Sequence, residues 1–245
     1  MSRAELIRPY KKECETSYTS GAYATVELLH TRPELLRAVF IHSAYTDKEA
    51  LARQCGQRGI PVVYNDEALR RINQKENAYV AGVFDKYTDA LQPGGAHVVL
   101  VSPADMGNLG TIIRTVAGLN IANLAVISTA ADIFHPKTIR ASMGSLFHLH
   151  FEAFDTFAEY RAAFPAHACY PFMLDGNALP DVLRGAQNPL FALLFGNEAR
   201  GLPPEYAGAG PAVKIPQTTL VDSLNISVAV GIGAYAFAMK FGLIA

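Results

Sequence analysis

The sequence predicts an α/β protein built on a mostly parallel sheet, and three observations point there. The runs "HVVLVS" (97–102), "NLAVIS" (123–128) and "LFALLFG" (190–196) are apolar almost throughout, as strands buried on both faces are. Helix-like segments alternate with them, among them "NLGTIIRTVAGLN" (108–120) and "TFAEYRAAF" (156–164). Half of the 245 residues are hydrophobic and 18% are charged, enough to fill a core and too little charge for global disorder.

The first third reads as a smaller unit of the same class. "AYATVELLHTR" has helical spacing, "LRAVFIH" reads as a strand, and "DKEALARQCGQRG" reads as a helix stopped by Gly59. "IPVVYN" is a strand, "DEALRRIN" opens on Asp66 as an N-cap, and "NAYVAGVF" is a further strand. Pro93-Gly94-Gly95 punctuates "YTDALQPGGA" (87–96), which places a boundary there: residues 1–90 form a small α/β domain and 91–245 a larger one.

The formal net charge of −1 argues against a generally basic nucleic-acid coat and leaves room for a local basic face. Cys14, Cys55 and Cys169 show no CxxC spacing, which suits free thiols in a reducing compartment. "MSRAELIRPYKKECE" lacks an apolar signal core, so a cytoplasmic location is expected. The apolar C-terminal run holds 12 residues between Ser227 and Lys240, short of the ~20 that span a bilayer. It is expected to be a helix buried in the protein or in an oligomer interface.

Ligands of parallel sheets bind beyond the carboxyl ends of the strands, so the loops after Ser102, Ser128, Phe195 and Ile215 are the places for chemistry. In "ADMGNLGTIIRT", Asn108 can be a helix cap, while Arg114 can meet a phosphate or a developing oxyanion. In "FGNEARGLPPE", Gly196 and Gly201 bracket Asn197, Glu198 and Arg200, and read as a plain turn or as a ligand loop. In "IPQTTLVDSLNISVAV", Asp222, Ser223, Asn225 and Ser227 exceed what one cap needs, and surplus polar groups require partners. His148 and His150 would share a strand face, but no third ligand stands at a recognisable spacing, so no metal is expected. "GIG" at 231–233 lies inside a helix and reads as a packing feature, and no Walker, GxSxG or HExxH motif is present.

Together the loops resemble the SpoU (TrmH-like) branch of the SPOUT RNA methyltransferases. The match runs through Asn108-Leu109-Gly110-x-x-x-Arg114, Phe195-Gly196-Asn197-Glu198-Ala199-x-Gly201-Leu202, and Ile215-Pro216 followed by Ser223-Leu224-Asn225-x-Ser227-x-Ala229. "PKTIRASMGSLFHL" (136–149) looks like the family's segment between the first two motifs, and Ala199 stands where glycine is frequent. The stretch from "SYTSGAYATVELLHTR" to "NAYVAGVF" resembles the small RNA-binding domain that precedes many such methylase domains, without the glutamine often found near its last strand.

The resemblance implies transfer of a methyl group from S-adenosylmethionine to a ribose 2′-hydroxyl in RNA, with ribosomal RNA favoured over transfer RNA by the extra domain. The alternative is a non-catalytic RNA-binding protein on the same fold. A C-terminal trefoil knot and a homodimer built through the terminal helix are also implied. By position, Gly196, Asn197, Ile215, Leu224 and Asn225 would hold the cofactor. Arg114, Asn108, Glu198, Ser223 and Asn225 would serve the reaction. Arg140, Arg200, Arg8, Lys11 and Lys12 would contact RNA phosphates.

Overall fold

The computed structural model describes residues 7–72 and 78–245. Asn73 and Asn77, which the sequence reading places in a helix and a strand, lie outside them. Contacts divide the chain into two units, 1–87 with 132–148, and 88–131 with 149–245.

The first unit holds a four-stranded sheet of order β1-β4-β2-β3. Its strands are β1 (Thr16–Tyr18), β2 (Leu36–Ile41), β3 (Val62–Tyr64) and β4 (Val80–Asp85). β4 pairs antiparallel with β1 and β2, while β2 and β3 are parallel. β2 and β4 are apolar on both faces because both faces are covered. Phe40, Ala38, Ala81 and Val83 pack with Tyr18 and Leu69 in one buried cluster. Around the sheet lie α1 (Ala22–Thr31), α2 (Lys48–Gln57) and α3 (Asp66–Ile72). Asp66 is not the cap of α3 but its first residue: Asn65 Oδ1 accepts from the Ala68 N–H at 2.9 Å, while the Asp66 carboxylate accepts from Ser43.

The stretch 132–148 belongs to this unit, with α5 (Pro136–Ala141) inside it. Ser17 Oγ donates to the Phe134 carbonyl, Phe147 meets Phe84 edge-on at 5.3 Å, and Arg32 Nε donates to the Phe147 carbonyl. The strand face expected to carry both His148 and His150 does not form: Ser145–His148 is a 3-10 turn, and a strand begins only at His150. His148 pairs with Glu27, and among the described residues no group of three or more His, Cys, Asp or Glu could hold a metal.

The second unit holds a six-stranded parallel sheet of order β10-β8-β9-β5-β6-β7. Its strands are β5 (His97–Val101), β6 (Asn123–Ile127), β7 (His150–Phe154), β8 (Ala168–Ala178), β9 (Phe191–Phe195) and β10 (Val213–Lys214). Every residue of β5, β6 and β9 is buried, as the unbroken apolar runs predict. On one face Val99, Val101, Ala125, Ile127, Ala192 and Leu194 pack with Tyr160 and Leu202. The alternate residues face the other way, where Phe191 meets Phe237 at 5.1 Å. Helices α4 (Met106–Gly118), α6 (Phe157–Ala163), α7 (Leu179–Gly185) and α8 (Ile226–Lys240) complete the unit. α4 packs on α8, and Gly233 lets α8 approach closely, since a Cβ there would lie 2.5 Å from the Phe172 ring.

The latter part of the 87–96 stretch is bound to this unit by side chains. Gln92 N–H donates to Asn123 Oδ1, Leu91 N–H to Glu152, and the Gln92 and Gly95 carbonyls accept from His97 and His167. Those two carbonyls fix the tautomer of both buried rings, with the proton on Nε2. Among the described residues no helix is long and apolar enough to cross a membrane.

Candidate functional site

The middle of β8, the carboxyl end of β9 with the loop after it, β10 with the residues that follow, and the start of α8 line a cavity of about 390 Å³. That is within the range of small-molecule sites, about 300–1,000 Å³. Phe172, Leu174, Phe195, Ile215, Leu224 and Ile226 give it apolar walls, and the 196–202 loop forms one side. Gly196 is required by close backbone packing, because a Cβ there would lie 2.0 Å from the Gly201 carbonyl carbon and 2.1 Å from Leu202 N. Asn197 and Gly201 bond each other's main chain at 3.2 and 2.8 Å, closing the loop on itself.

Glu198 reaches out of this loop to the start of α4. Its two carboxylate oxygens accept from the Ala104 and Asp105 N–H groups at 3.0 Å each and from Asn108 Nδ2 at 3.4 Å. Burial pushes the Glu198 carboxyl up, but these hydrogen bonds outweigh it and hold the group below the usual glutamate value. Asn108 is not the cap of α4. The chain turns helical two residues earlier, and Asp105 caps it by accepting from the Asn108 N–H at 2.8 Å. Asn108 is thereby freed to bond through its side chain, donating to Glu198 and accepting from Asn225 Nδ2 at 3.1 Å. Asn225 does cap α8, its Oδ1 accepting from the Ser227 N–H and hydroxyl.

The sequence candidates thus fall into four groups. Gly196, Asn197, Glu198, Arg200, Ile215, Ser223 and Leu224 line the cavity. Asn108 and Asn225 join it through the hydrogen bonds just described. Arg114 is exposed on α4, outside the cavity lining, and no hydrogen bond or ion pair joins its side chain to a described residue. Arg8, Lys11, Lys12 and Arg140 are exposed residues of the first unit. Met173, Asp175 and Gln217 also line the cavity and were missed. Pro171 hides the strand that carries two of them, since proline argues against an inner strand. The alternation Tyr170-x-Phe172-x-Leu174 was the available signal.

Residues 95–235 match the sequence pattern of the SpoU rRNA Methylase family. A 23S rRNA adenosine 2′-O-methyltransferase of Streptomyces laurentii is 32% identical over 159 residues, covering 63% of this chain and 58% of that protein. A second relative, from Streptomyces azureus and of the same name, is 29% identical over 74% of this chain and 71% of its own length. This chain spans little more than half the length of the first curated relatives it matches, 58% and 51%. An AdoMet-bound rRNA methyltransferase from Sinorhizobium meliloti superposes with a TM-score of 0.79 at 26% identity, over 94% of this chain and 89% of that one. The SpoU methyltransferase AviRb from Streptomyces viridochromogenes shares the fold, with a TM-score of 0.83 at 20% identity over 98% of each chain. Since the family pattern spans more than half of the chain and covers all three loops of the cavity, the chain belongs to the SpoU rRNA methylase family.

Proposed function

We propose that this chain is an S-adenosylmethionine-dependent RNA 2′-O-ribose methyltransferase acting on ribosomal RNA, and that it works in the cytoplasm. The observation that carries the reading is the cavity walled by the 196–202, 213–217 and 223–229 segments, where the family's second and third motifs converge. Its apolar walls suit an adenine ring, and its size suits the whole cofactor. Gly196, Ile215, Leu224 and Asn225 are the assigned cofactor contacts, largely through main chain, while Asn197, assigned with them by its place in the motif, lines the cavity with its polar groups engaged within the protein and acts by shaping the loop.

When bound, S-adenosylmethionine supplies an electrophilic methyl carbon. The chain's own part is to hold a ribose 2′-oxygen in line with that carbon and to stabilise the charge on the oxygen as its proton leaves. Arg114 fits the second task as a fixed cation, since a guanidinium stays protonated. Glu198, ionised and engaged by three donors of the 104–108 segment, holds the start of α4. Asn108, Ser223 and Asn225 shape the side facing the RNA. Arg200, Arg140, Arg8, Lys11 and Lys12 are assigned to phosphates, which position RNA without reading its sequence. Residues 1–90 serve as the RNA-binding domain, with 132–148 packed into the same unit, and the remainder of 91–245 serves as the methylase domain, with a trefoil knot in it.

The chain acts as a homodimer. Val228, Ile232, Tyr235 and Met239 are each at least 38% exposed and recur at helical spacing on α8, an apolar stripe that a second copy would cover. Titration calorimetry with S-adenosylmethionine tests the enzyme reading, since a pure RNA binder gives no heat. Mapping 2′-O-methyl sites in cellular RNA with and without the gene then identifies the substrate, and unchanged maps would overturn it.

A further inference from the structure

We propose that Asn197 is a positioning residue whose carboxamide latches the end of β5, so that the cofactor-side loop sets the place of α4 and its Asn108 and Arg114. This rests on the methyltransferase reading of the cavity.

The Asn197 side chain has nothing left for a ligand. Its Oδ1 accepts from the Ala199 and Arg200 N–H groups at 3.0 and 3.2 Å. Its Nδ2 donates to the Ser102 carbonyl at 2.9 Å and, more weakly, to Glu198 Oε2 at 3.4 Å. Those partners also fix which end of the amide is which, because two N–H donors demand the oxygen and a carbonyl demands the nitrogen. Its main-chain N–H and carbonyl are both taken by Gly201.

The turn it grips is unusual. Ser102 has a φ of 51°, a left-handed backbone that non-glycine residues seldom adopt and that must be held by its surroundings. Between β5 and the start of α4 the Ser102 carbonyl goes to Asn197, and the Ala104 and Asp105 N–H groups go to Glu198. Pro103 has no N–H to place. Main-chain bonds from the Ser102 N–H to the Ile127 carbonyl and from the Ala131 N–H to the Pro103 carbonyl hold the turn on one side, and two adjacent side chains of the loop that lines the cavity hold it on the other. A ligand that fixes 196–202 fixes α4 as well, although neither Ala104 nor Asp105 lines the cavity. Such a link makes cofactor and RNA-site geometry mutually dependent.

The test uses the full chain. In the wild type, adding S-adenosylmethionine should slow amide hydrogen exchange at Ala104 and Asp105 at least about tenfold. Asn197→Asp keeps the accepting oxygen, loses the donor to Ser102 and adds a second carboxylate beside Glu198. We expect it to raise exchange at those two amides about tenfold, shift S-adenosylmethionine affinity by less than about threefold, and lower kcat for methyl transfer to ribosomal RNA about tenfold at little change in KM. Ser102→Gly, which takes a positive φ without strain, should recover part of the kcat lost in Asn197→Ala. If Asn197→Asp fails to fold, the wild-type exchange measurement and Asn197→Ser still decide. Unchanged exchange on adding cofactor, or a variant that loses cofactor affinity with kcat intact, overturns the latch. Absence of methyl transfer by the wild type on every RNA would overturn the methyltransferase reading alone, because the exchange measurement needs no turnover.

Discussion

Asn225 Nδ2 donates to Asn108 Oδ1 across 3.1 Å, so the residue that caps α8 also holds the side chain at the third position of α4. Through Asn108 the tie runs on to Glu198 and the cavity loop. Three segments distant in sequence thereby share one hydrogen-bonded chain, in which each side chain has a job in folding and another in placing its neighbour.

The two jobs of Asn225 can be separated. Asn225→Ala removes the cap and the tie, and should cost about 1 kcal/mol of stability together with about a tenfold fall in methyl transfer. Asn225→Ser restores a cap but is too short to reach Asn108. Thermal unfolding of the serine variant should return toward wild type while its methyl transfer stays low.

Glu198→Gln tests how far the start of α4 depends on a carboxylate. A glutamine turns one of the accepting oxygens into a donor facing a backbone N–H, so the variant should lose about 2 kcal/mol. Its pH response should also change. The folded pKa of Glu198 lies below its ordinary value of 4.5. The carboxylate thus stabilises the fold fully above that value, and this contribution is lost as pH falls through the lowered folded pKa. Acid unfolding followed by circular dichroism should show this component in the wild type and not in the glutamine variant.

Arg114→Ala should leave the fold alone. The side chain is exposed and unpaired with any described residue, so unfolding free energy should move by no more than about 0.5 kcal/mol. Calorimetry should find S-adenosylmethionine affinity retained, since Arg114 lies outside the cavity lining. Methyl transfer should fall by at least about a hundredfold, as when a group that stabilises developing charge is removed. Wild-type turnover in this variant would remove Arg114 from the chemistry.

A pH-sensitive element lies away from the cavity, at the start of β5. His97 is fully buried, stacks on His167 with ring centroids 4.0 Å apart, and accepts from the Tyr160 hydroxyl at Nδ1 while its Nε2 serves the Gln92 carbonyl. Burial pushes its pKa from 6.5 down to about 4, and burial lowers that of His167 too. The unfolded chain therefore takes up protons that the folded one refuses between those values, and stability falls as pH drops through 6.5 toward 4. The His97 contribution to that fall should reach about 3 kcal/mol by pH 4. Denaturant unfolding at pH 7 and pH 5 measures it, and His97→Phe should flatten the difference while lowering stability at both.

Much of this is legible in the sequence. β5, β6 and β9 are apolar almost throughout and betray themselves, as do the first two motif loops, which follow β5 and β9, while the third follows the two-residue β10. Other features were hidden by tertiary context. Two polar residues stand near the start of α4, and only the fold decides that Asp105 caps and Asn108 is released for other bonds. β8 carries Pro171 and ends in Leu-Asp-Gly-Asn, so its strand signal is weak and the cavity residues Met173 and Asp175 went with it. The stretch 132–148 reads as part of the second half by sequence order. Its fixing points, such as Phe134 on Ser17 and Phe147 on Arg32, are long-range contacts that no local pattern announces.

The apolar stripe of α8 offers the last test. Val228, Ile232, Tyr235 and Met239 are spaced by four, three and four residues, which places them on one side of the helix, while Val230, Ala234, Phe237 and Ala238 are buried. The buried side of the helix packs within its own unit, and in the proposed dimer a second copy would cover the outer stripe, which accounts for a helix apolar nearly all round. Ile232→Asp places a charge at the middle of the outer stripe without touching the inner one. It should yield a monomer in sedimentation equilibrium with a circular dichroism spectrum like that of the wild type. A charge forced into a covered apolar face costs several kcal/mol, enough to shift association by at least about a hundredfold. Should the wild type itself sediment as a monomer at micromolar concentration, the stripe would have another occupant and the dimer reading would fall.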